Sequence, residues 1–374
     1  MLKLDKMLMI GSAGANVGKT ELACAVIRKF GKRSDIIGIK VTTIKAKNGQ
    51  CPRGGEGCGV CSSLEGNFCI TQETYANSDK DTARLLAAGA SRVFWLRVMK
   101  TYLKEGLTAL LDIIGRDKVS ICESNSLRQV AEPGLFLMVQ RSNQKVLKSS
   151  AQTVKKYADR LVLSDGDGFD LDIDRIKLTE GKWMIQEKAT AIILAGGDSC
   201  RMGADKSMLP IKGKPMVETI SEQLRDSFEQ ILISTNEVEN LAFLGLEIVP
   251  DKMQGQGPLM GIASALEASA NELNFVTACD IPYISMWFVR KMLSEAEQAD
   301  IVIPTSADKK YEPLFAIYCK SALEAINEVL STGGRKISDV FTRCRVGYIE
   351  LEADWFANLN TRAEYEEFCK KYST

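Results

Sequence analysis

The sequence predicts two α/β domains in tandem, each a parallel sheet with helices packed on its faces. Three observations carry that prediction. The chain has 374 residues, more than one hydrophobic core ordinarily fills. Apolar runs of strand length alternate with helical patterns in both halves. A strand followed by small residues, glycine and then a lysine occurs twice, between Ile10 and Lys19 and between Leu194 and Lys206. The predicted domains are 1–186 and 187–374, with the boundary in Gln186-Glu-Lys-Ala189.

In the first domain, Lys6 to Ile10 reads as a strand, Ala13-Gly-Ala-Asn-Val-Gly-Lys-Thr20 follows, and Glu21 to Phe30 reads as a helix. This is the P-loop arrangement. Backbone N–H groups from Gly14, Asn16, Val17 and Gly18 cradle phosphates, Lys19 reaches the terminal ones and Thr20 ligates Mg2+. Ile36 to Val41 is a second strand, ending in Thr42 and Thr43, either switch-like contacts or ordinary strand residues. Asp79 to Ala90 is a helix, Arg92 to Leu96 a strand, Tyr102 to Ile114 a helix with Leu103, Leu107, Leu110, Leu111 and Ile114 on one face, and Val119 to Cys122 a strand. Ligands of such sheets gather at the carboxyl ends of the strands, where Glu123 stands. Gly134 to Val139 is a further strand, Ala151 to Ala158 a helix, and Arg175 to Ile185 a hairpin.

Four cysteines interrupt this pattern. Cys51, Cys58, Cys61 and Cys69 give C-x6-C-x2-C-x7-C in a glycine-rich segment. Four thiolates so close together fit zinc or an iron–sulfur cluster, with a redox-sensing dithiol or unpaired thiols as the alternatives.

The second domain opens on Ala191-Ile-Ile-Leu-Ala-Gly-Gly-Asp-Ser-Cys-Arg-Met-Gly-Ala-Asp-Lys206. An apolar strand runs into Gly196 and Gly197, and Arg201 and Lys206 add two cations, which together ask for a polyphosphate. Met216 to Leu224 is a helix, Gln230 to Ser234 and Leu246 to Val249 are strands, and Gly255-x-Gly-Pro-Leu-Met-Gly261 opens a helix to Ala268. Asn274 to Tyr283 contains a strand ending in Asp280, a hard oxygen ligand suited to Mg2+.

Composition narrows the chemistry. Lys plus Arg equals Asp plus Glu at 48 each, so no net charge draws the chain to nucleic acid or an anionic membrane. No run of roughly 18 apolar residues suggests a span. The start at Met1 enters a glycine-rich loop at Gly11 without a signal-peptide pattern, and cytoplasmic localisation is expected. Histidine is absent, which excludes Ser-His triads and imidazole zinc sites but leaves phosphate chemistry open. The 11 cysteines are expected to be mostly reduced.

With L-A-G-G-x-S-x-R-M-G-x-D-K and C-D-x-P in place, residues from about 190 to 374 resemble the molybdenum cofactor guanylyltransferases. These join the GMP part of GTP to the phosphate of molybdopterin and release pyrophosphate. The resemblance implies a Rossmann-like, doubly wound nucleotidyltransferase sheet. It assigns Leu194, Ala195, Gly196 and Gly197 to the triphosphate, Lys206 and Arg201 to its charge, and Asp280 to Mg2+. Ser234, Asn236 and Asp251 fall to the guanosine, Ser234 standing where many members carry asparagine. Pro313 and Arg335 fall to the pterin, and Asn358 and Asn360 to a turn beside the site.

Residues 5 to 165 resemble, more loosely, the GTP-binding accessory protein of molybdopterin-guanine dinucleotide biosynthesis, through the P-loop, Gly38-Ile-Lys-Val41, Asp81-Thr82 and Ala88-Gly-Ala90. That likeness implies that Glu123 supports Mg2+ or water, and the four-cysteine segment departs from it. The implied ligands are GTP, molybdopterin cofactor and Mg2+, and the implied partners are molybdoenzymes or cofactor-insertion proteins. A cytidylyltransferase, a sugar-phosphate nucleotidyltransferase and a GTP-switched carrier without transferase activity are the alternatives.

Overall fold

The computed structural model describes residues 1–44, 64, 66–143, 146–196, 205–306, 310–350, 359 and 361–372. Cys51, Cys58, Cys61, Gly197, Arg201, Asn358 and Asn360 lie outside the described residues. The chain divides into two compact units, Met1–Ile185 and Gln186–Thr374.

The first unit runs β1 (Leu2–Ser12), α1 (Lys19–Phe30), β2 (Ile37–Ile44), β3 (Phe68–Glu73), α2 (Asp81–Ala87), β4 (Arg92–Met99), α3 (Leu103–Ile114), β5 (Ser120–Glu123), β6 (Ala131–Arg141), α4 (Ser149–Gln152), β7 (Arg160–Ser164), β8 (Ile176–Thr179) and β9 (Lys182–Ile185). Its main sheet has the order β3-β4-β2-β5-β1-β6-β7. All neighbours are parallel except the edge strand β3, which runs antiparallel to β4. β1 lies between two neighbours and is covered on both faces, so its apolar run is continuous. Met7 and Met9 enter the cluster that holds α3, and Leu8 and Ile10 the one that holds α1. On α3 the predicted stripe is buried as a set. The expected helix over 151–158 is instead divided into α4 and a separate 3-10 turn at Lys155–Tyr157.

The second unit runs β10 (Glu187–Leu194), β11 (Pro210–Ile211), β12 (Lys214–Pro215), α5 (Met216–Arg225), β13 (Phe228–Ser234), α6 (Val238–Leu241), β14 (Glu247–Val249), α7 (Pro258–Ala268), β15 (Leu273–Ala278), α8 (Met286–Glu295), β16 (Ile301–Thr305), β17 (Phe315–Cys319), α9 (Ala322–Ser331), β18 (Val346–Glu350) and α10 (Arg362–Tyr372). The sheet order is β14-β13-β10-β15-β17-β16-β18. β17 is antiparallel to both neighbours and the other pairings are parallel. The fold is therefore a Rossmann-like α/β sheet with one reversed strand inside it. Ala191 and Ile193 of β10 face one core cluster, Ile192 and Leu194 the other. α7 begins where Pro258 meets the tight turn at Gly257, a start suited to a residue with no N–H to satisfy.

Candidate active site

In the second unit the carboxyl ends of β13, β10 and β15 lie side by side. Ala195 N–H donates to the Ser234 carbonyl at 2.9 Å, and Cys279 N–H donates to the Leu194 carbonyl at 3.0 Å. These bonds fix Leu194 and Ala195 between the residues leading to Asn236 and to Asp280. Among the described residues, a Cβ at Gly196 would meet nothing nearer than Thr235 Cα at 3.7 Å, so none of them demands glycine there.

Asp280 follows β15 in a turn, and its carbonyl accepts from Leu359 N–H at 2.9 Å. Lys206 Nζ lies 3.1 Å from Asp280 Oδ2, with both side chains mostly buried. Asp205 positions that lysine, because its Oδ1 accepts from the Ser207 N–H and hydroxyl and closes the turn carrying Lys206. The other oxygen, Asp280 Oδ1, is buried without a hydrogen-bond partner. Leaving such an acceptor unmade costs about 1–3 kcal/mol, a deficit that a bound cation removes.

The residues that the resemblance assigns to guanosine lie at the ends of β13 and β14, beside α7. Asn236 and Asp251 bond reciprocally, Asn236 Nδ2 donating to Asp251 Oδ2 at 3.0 Å and Asp251 N–H to Asn236 Oδ1 at 2.9 Å. Ser234 is buried beneath them. A Cβ at Gly261 would fall 2.8 Å from Ser234 Oγ and 3.3 Å from Asp251 Oδ1, so only glycine in the first turn of α7 lets both groups approach. Sequence reasoning had given Gly261 no such part.

Glu312 was also missed. It precedes β17 at the mouth of the sheet, its N–H bonded to the Pro304 carbonyl, while the Ala278 N–H bonds to the Leu314 carbonyl. Burial, and then the charge of Asp280, push the Glu312 carboxyl above its ordinary range, with Lys310 opposing them. A second acid thus senses Asp280. Burial, then Asp280, pushes the adjacent Cys279 thiol up to about 12, which makes it inert as a nucleophile.

Pro313 accepts the Tyr318 hydroxyl at its carbonyl, 2.9 Å away. Arg335 is exposed beyond α9.

The first unit carries its own strand-end cluster. After β1 the loop turns through Asn16 (φ 52°) and Gly18 (φ 93°) into α1. Such turns line up N–H groups around an anion at a helix start. Ala13 and Val17 are buried. Asn125 braces the loop, accepting Ser12 N–H at 2.7 Å, and Lys148 Nζ donates to Ser12 Oγ at 2.7 Å and more weakly to the Gly14 carbonyl. Lys19 Nζ lies 3.6 Å from Glu123 Oε2. Glu123 is fully buried, and neither carboxylate oxygen has a hydrogen-bond partner. Cys69 lies on β3, where its Sγ accepts from Arg97 at 3.3 Å. The cysteines among the described residues are free thiols.

Comparison with known proteins places the second unit. Residues 191–345 match the MobA-like NTP transferase domain. A probable molybdenum cofactor guanylyltransferase of Pelotomaculum thermopropionicum is 37% identical over 179 residues, 48% of this chain and 84% of that protein. One from Carboxydothermus hydrogenoformans is 33% identical over 195 residues, 50% of this chain and 98% of that protein. The crystal structure of molybdopterin-guanine dinucleotide biosynthesis protein A from Archaeoglobus fulgidus aligns with a TM-score of 0.43 and 26% identity, over 49% of this chain and 99% of that one. Among the described residues no helix is long and apolar enough to cross a membrane. Through its carboxyl-terminal half, the chain belongs to the MobA-like NTP transferases, the family of these probable molybdenum cofactor guanylyltransferases.

Proposed function

We propose that the second unit transfers GMP from GTP to the phosphate of molybdopterin and releases pyrophosphate. The observation that carries this reading is the Lys206–Asp280 pair at the end of β15, with Asp280 Oδ1 buried and without a hydrogen-bond partner. The donor set fits Mg2+, which binds through one or two carboxylates and substrate phosphates. Bound there, the ion supplies positive charge to the triphosphate. The backbone at Leu194 to Gly196 lies against that triphosphate, with Gly197 and Arg201 contributing from beyond the described residues. Lys206 offsets the charge that develops on the departing pyrophosphate. A phosphate nucleophile is already ionised, so no general base is required and the lack of histidine is no handicap. Ser234, Asn236 and Asp251 hold the guanosine, and Pro313 and Arg335 line the pterin side. Competition between GTP and CTP in the presence of Mg2+ and molybdopterin tests the base assignment. Preferential use of GTP is expected, and preference for CTP would move the reading to a cytidylyltransferase.

The first unit is a P-loop GTP-binding accessory domain in this reading, with Gly14, Asn16, Val17, Gly18, Lys19 and Thr20 around the phosphates and Glu123 toward Mg2+ or water. GTP hydrolysis there is part of the proposal. Cys51, Cys58, Cys61 and Cys69 hold zinc or an iron–sulfur cluster. Metal and sulfide analysis of anaerobically prepared protein should find one centre per chain, lost on joint Cys58→Ser and Cys61→Ser replacement, and metal-free wild type would end that assignment. The protein works in the cytoplasm, and its product passes to molybdoenzymes or cofactor-insertion proteins.

A further inference from the structure

The charged groups around the P-loop of the first unit form one connected cluster. β2 and β5 are parallel neighbours, and their register sets Lys40 opposite Glu123. Lys19 approaches Glu123 from the loop side. Asp81, the first residue of α2, is ion-paired with Lys40. Burial raises the pKa of Asp81, but its bond to Lys40 and the charges of Lys40 and Lys19 outweigh that and hold it below the ordinary aspartate range. Thr20, Asp81 and the Glu123 carboxylate, which is ion-paired with Lys19 but accepts no hydrogen bond, are hard oxygen donors of the kind Mg2+ takes alongside phosphate oxygens.

We propose, resting on the reading of this unit as a nucleotide site, that Asp81 serves the divalent ion accompanying a nucleoside triphosphate, and that Lys40 latches Asp81 until that ion arrives. The ammonium of Lys40 and the metal compete for the same carboxylate. Arrival of the metal–nucleotide pair releases Lys40 from α2, so α2 and β2 are linked by an ion pair only while the site is empty. The latch lowers affinity for the metal–nucleotide complex in proportion to the fraction of molecules in which it is closed. Lys40 has a second, opposite effect, since its charge attracts the triphosphate whether or not metal is present. The ratio of affinities with and without metal separates the two.

The test measures binding of a fluorescent GTP analogue to the full chain in excess Mg2+ and in chelator, with Mn2+ bound alongside nucleotide counted by electron paramagnetic resonance. Asp81→Asn, which keeps the side-chain shape, should lower the affinity ratio at least about tenfold and lose Mn2+. Lys40→Gln should raise the ratio about three- to tenfold, the effect of opening a latch closed in most molecules. The rival is a structural staple between α2 and β2. It predicts lowered melting temperatures with the ratio unchanged in both variants, and that result overturns the proposal. Should Asp81→Asn fail to fold, Lys40→Gln alone decides, an unchanged ratio being fatal. Wild type that binds no nucleotide in either condition removes the P-loop reading itself, and the latch with it.

Discussion

Replacing Asp280 by Ala is expected to lower the rate of pyrophosphate release from GTP at least about a hundredfold, the scale for removing an electrostatic stabiliser of a phosphoryl transition state. Asp280 stands at the end of β15 with one oxygen on Lys206 and the other unpartnered. Its removal therefore takes away both the anchor for a divalent ion and the group that orients the lysine. Lys206→Ala should cost a similar factor, because Lys206 supplies the compensating charge on the triphosphate side. The effects should not add, since each residue positions the other. Both side chains keep some exposure to water, at 20% and 17%, so neither replacement leaves a fully buried unpaired charge. Melting temperatures close to wild type are expected in both. Unchanged rates in both variants would remove the transferase assignment from this site.

Phe275→Ala is expected to destabilise the second unit by about 3–5 kcal/mol, the usual cost of emptying a large buried aromatic site. Phe275 is fully buried on β15, the strand that carries Asp280. Its ring stacks on Phe228 at 5.9 Å and meets Phe315 edge-on at 5.0 Å, so deletion removes contacts to strands on both sides. Denaturant unfolding of a two-unit chain need not be a single transition. The loss should appear as a shift of one transition, followed by tryptophan or ligand signals from the second unit, with the other in place. A change below about 1 kcal/mol would mean that the site collapses around the gap and that the ring is not the packing centre the structure makes it.

Much of each sheet is legible because its central strands are covered on both faces. Met7 to Ile10 and Ala191 to Leu194 read as strands without any alternation to find, since every side chain enters a core. The glycine and lysine residues that follow them are the features on which both proposed anion sites rest, and Asp280 is legible as a carboxylate ending an apolar run. Strand direction is a different matter. Phe315 to Cys319 looks like its neighbours in composition, and only pairing with β15 and β16 reverses it. That reversal brings Glu312 within the influence of Asp280, so no local sequence pattern marks the acid as part of the site. β6 begins at Ala131, several residues before the expected strand, because Glu132-Pro-Gly134 has no strand signature and pairs with β1 across a register shift. Gly261 is required by Ser234 and Asp251, residues far from it in sequence, so no local pattern marks it. The Lys40–Asp81 pair is likewise set by how α2 lies against β2.

The central claim is that this chain joins the α-phosphate of GTP to molybdopterin. The measurement closest to it follows α-labelled GTP through a reaction of purified protein with Mg2+ and molybdopterin, identifying the labelled product by mass. The account predicts that the label becomes part of a pterin dinucleotide with one pyrophosphate released per label transferred. Label recovered only in free guanine nucleotides, with no pterin-bound product and no pyrophosphate, would contradict it.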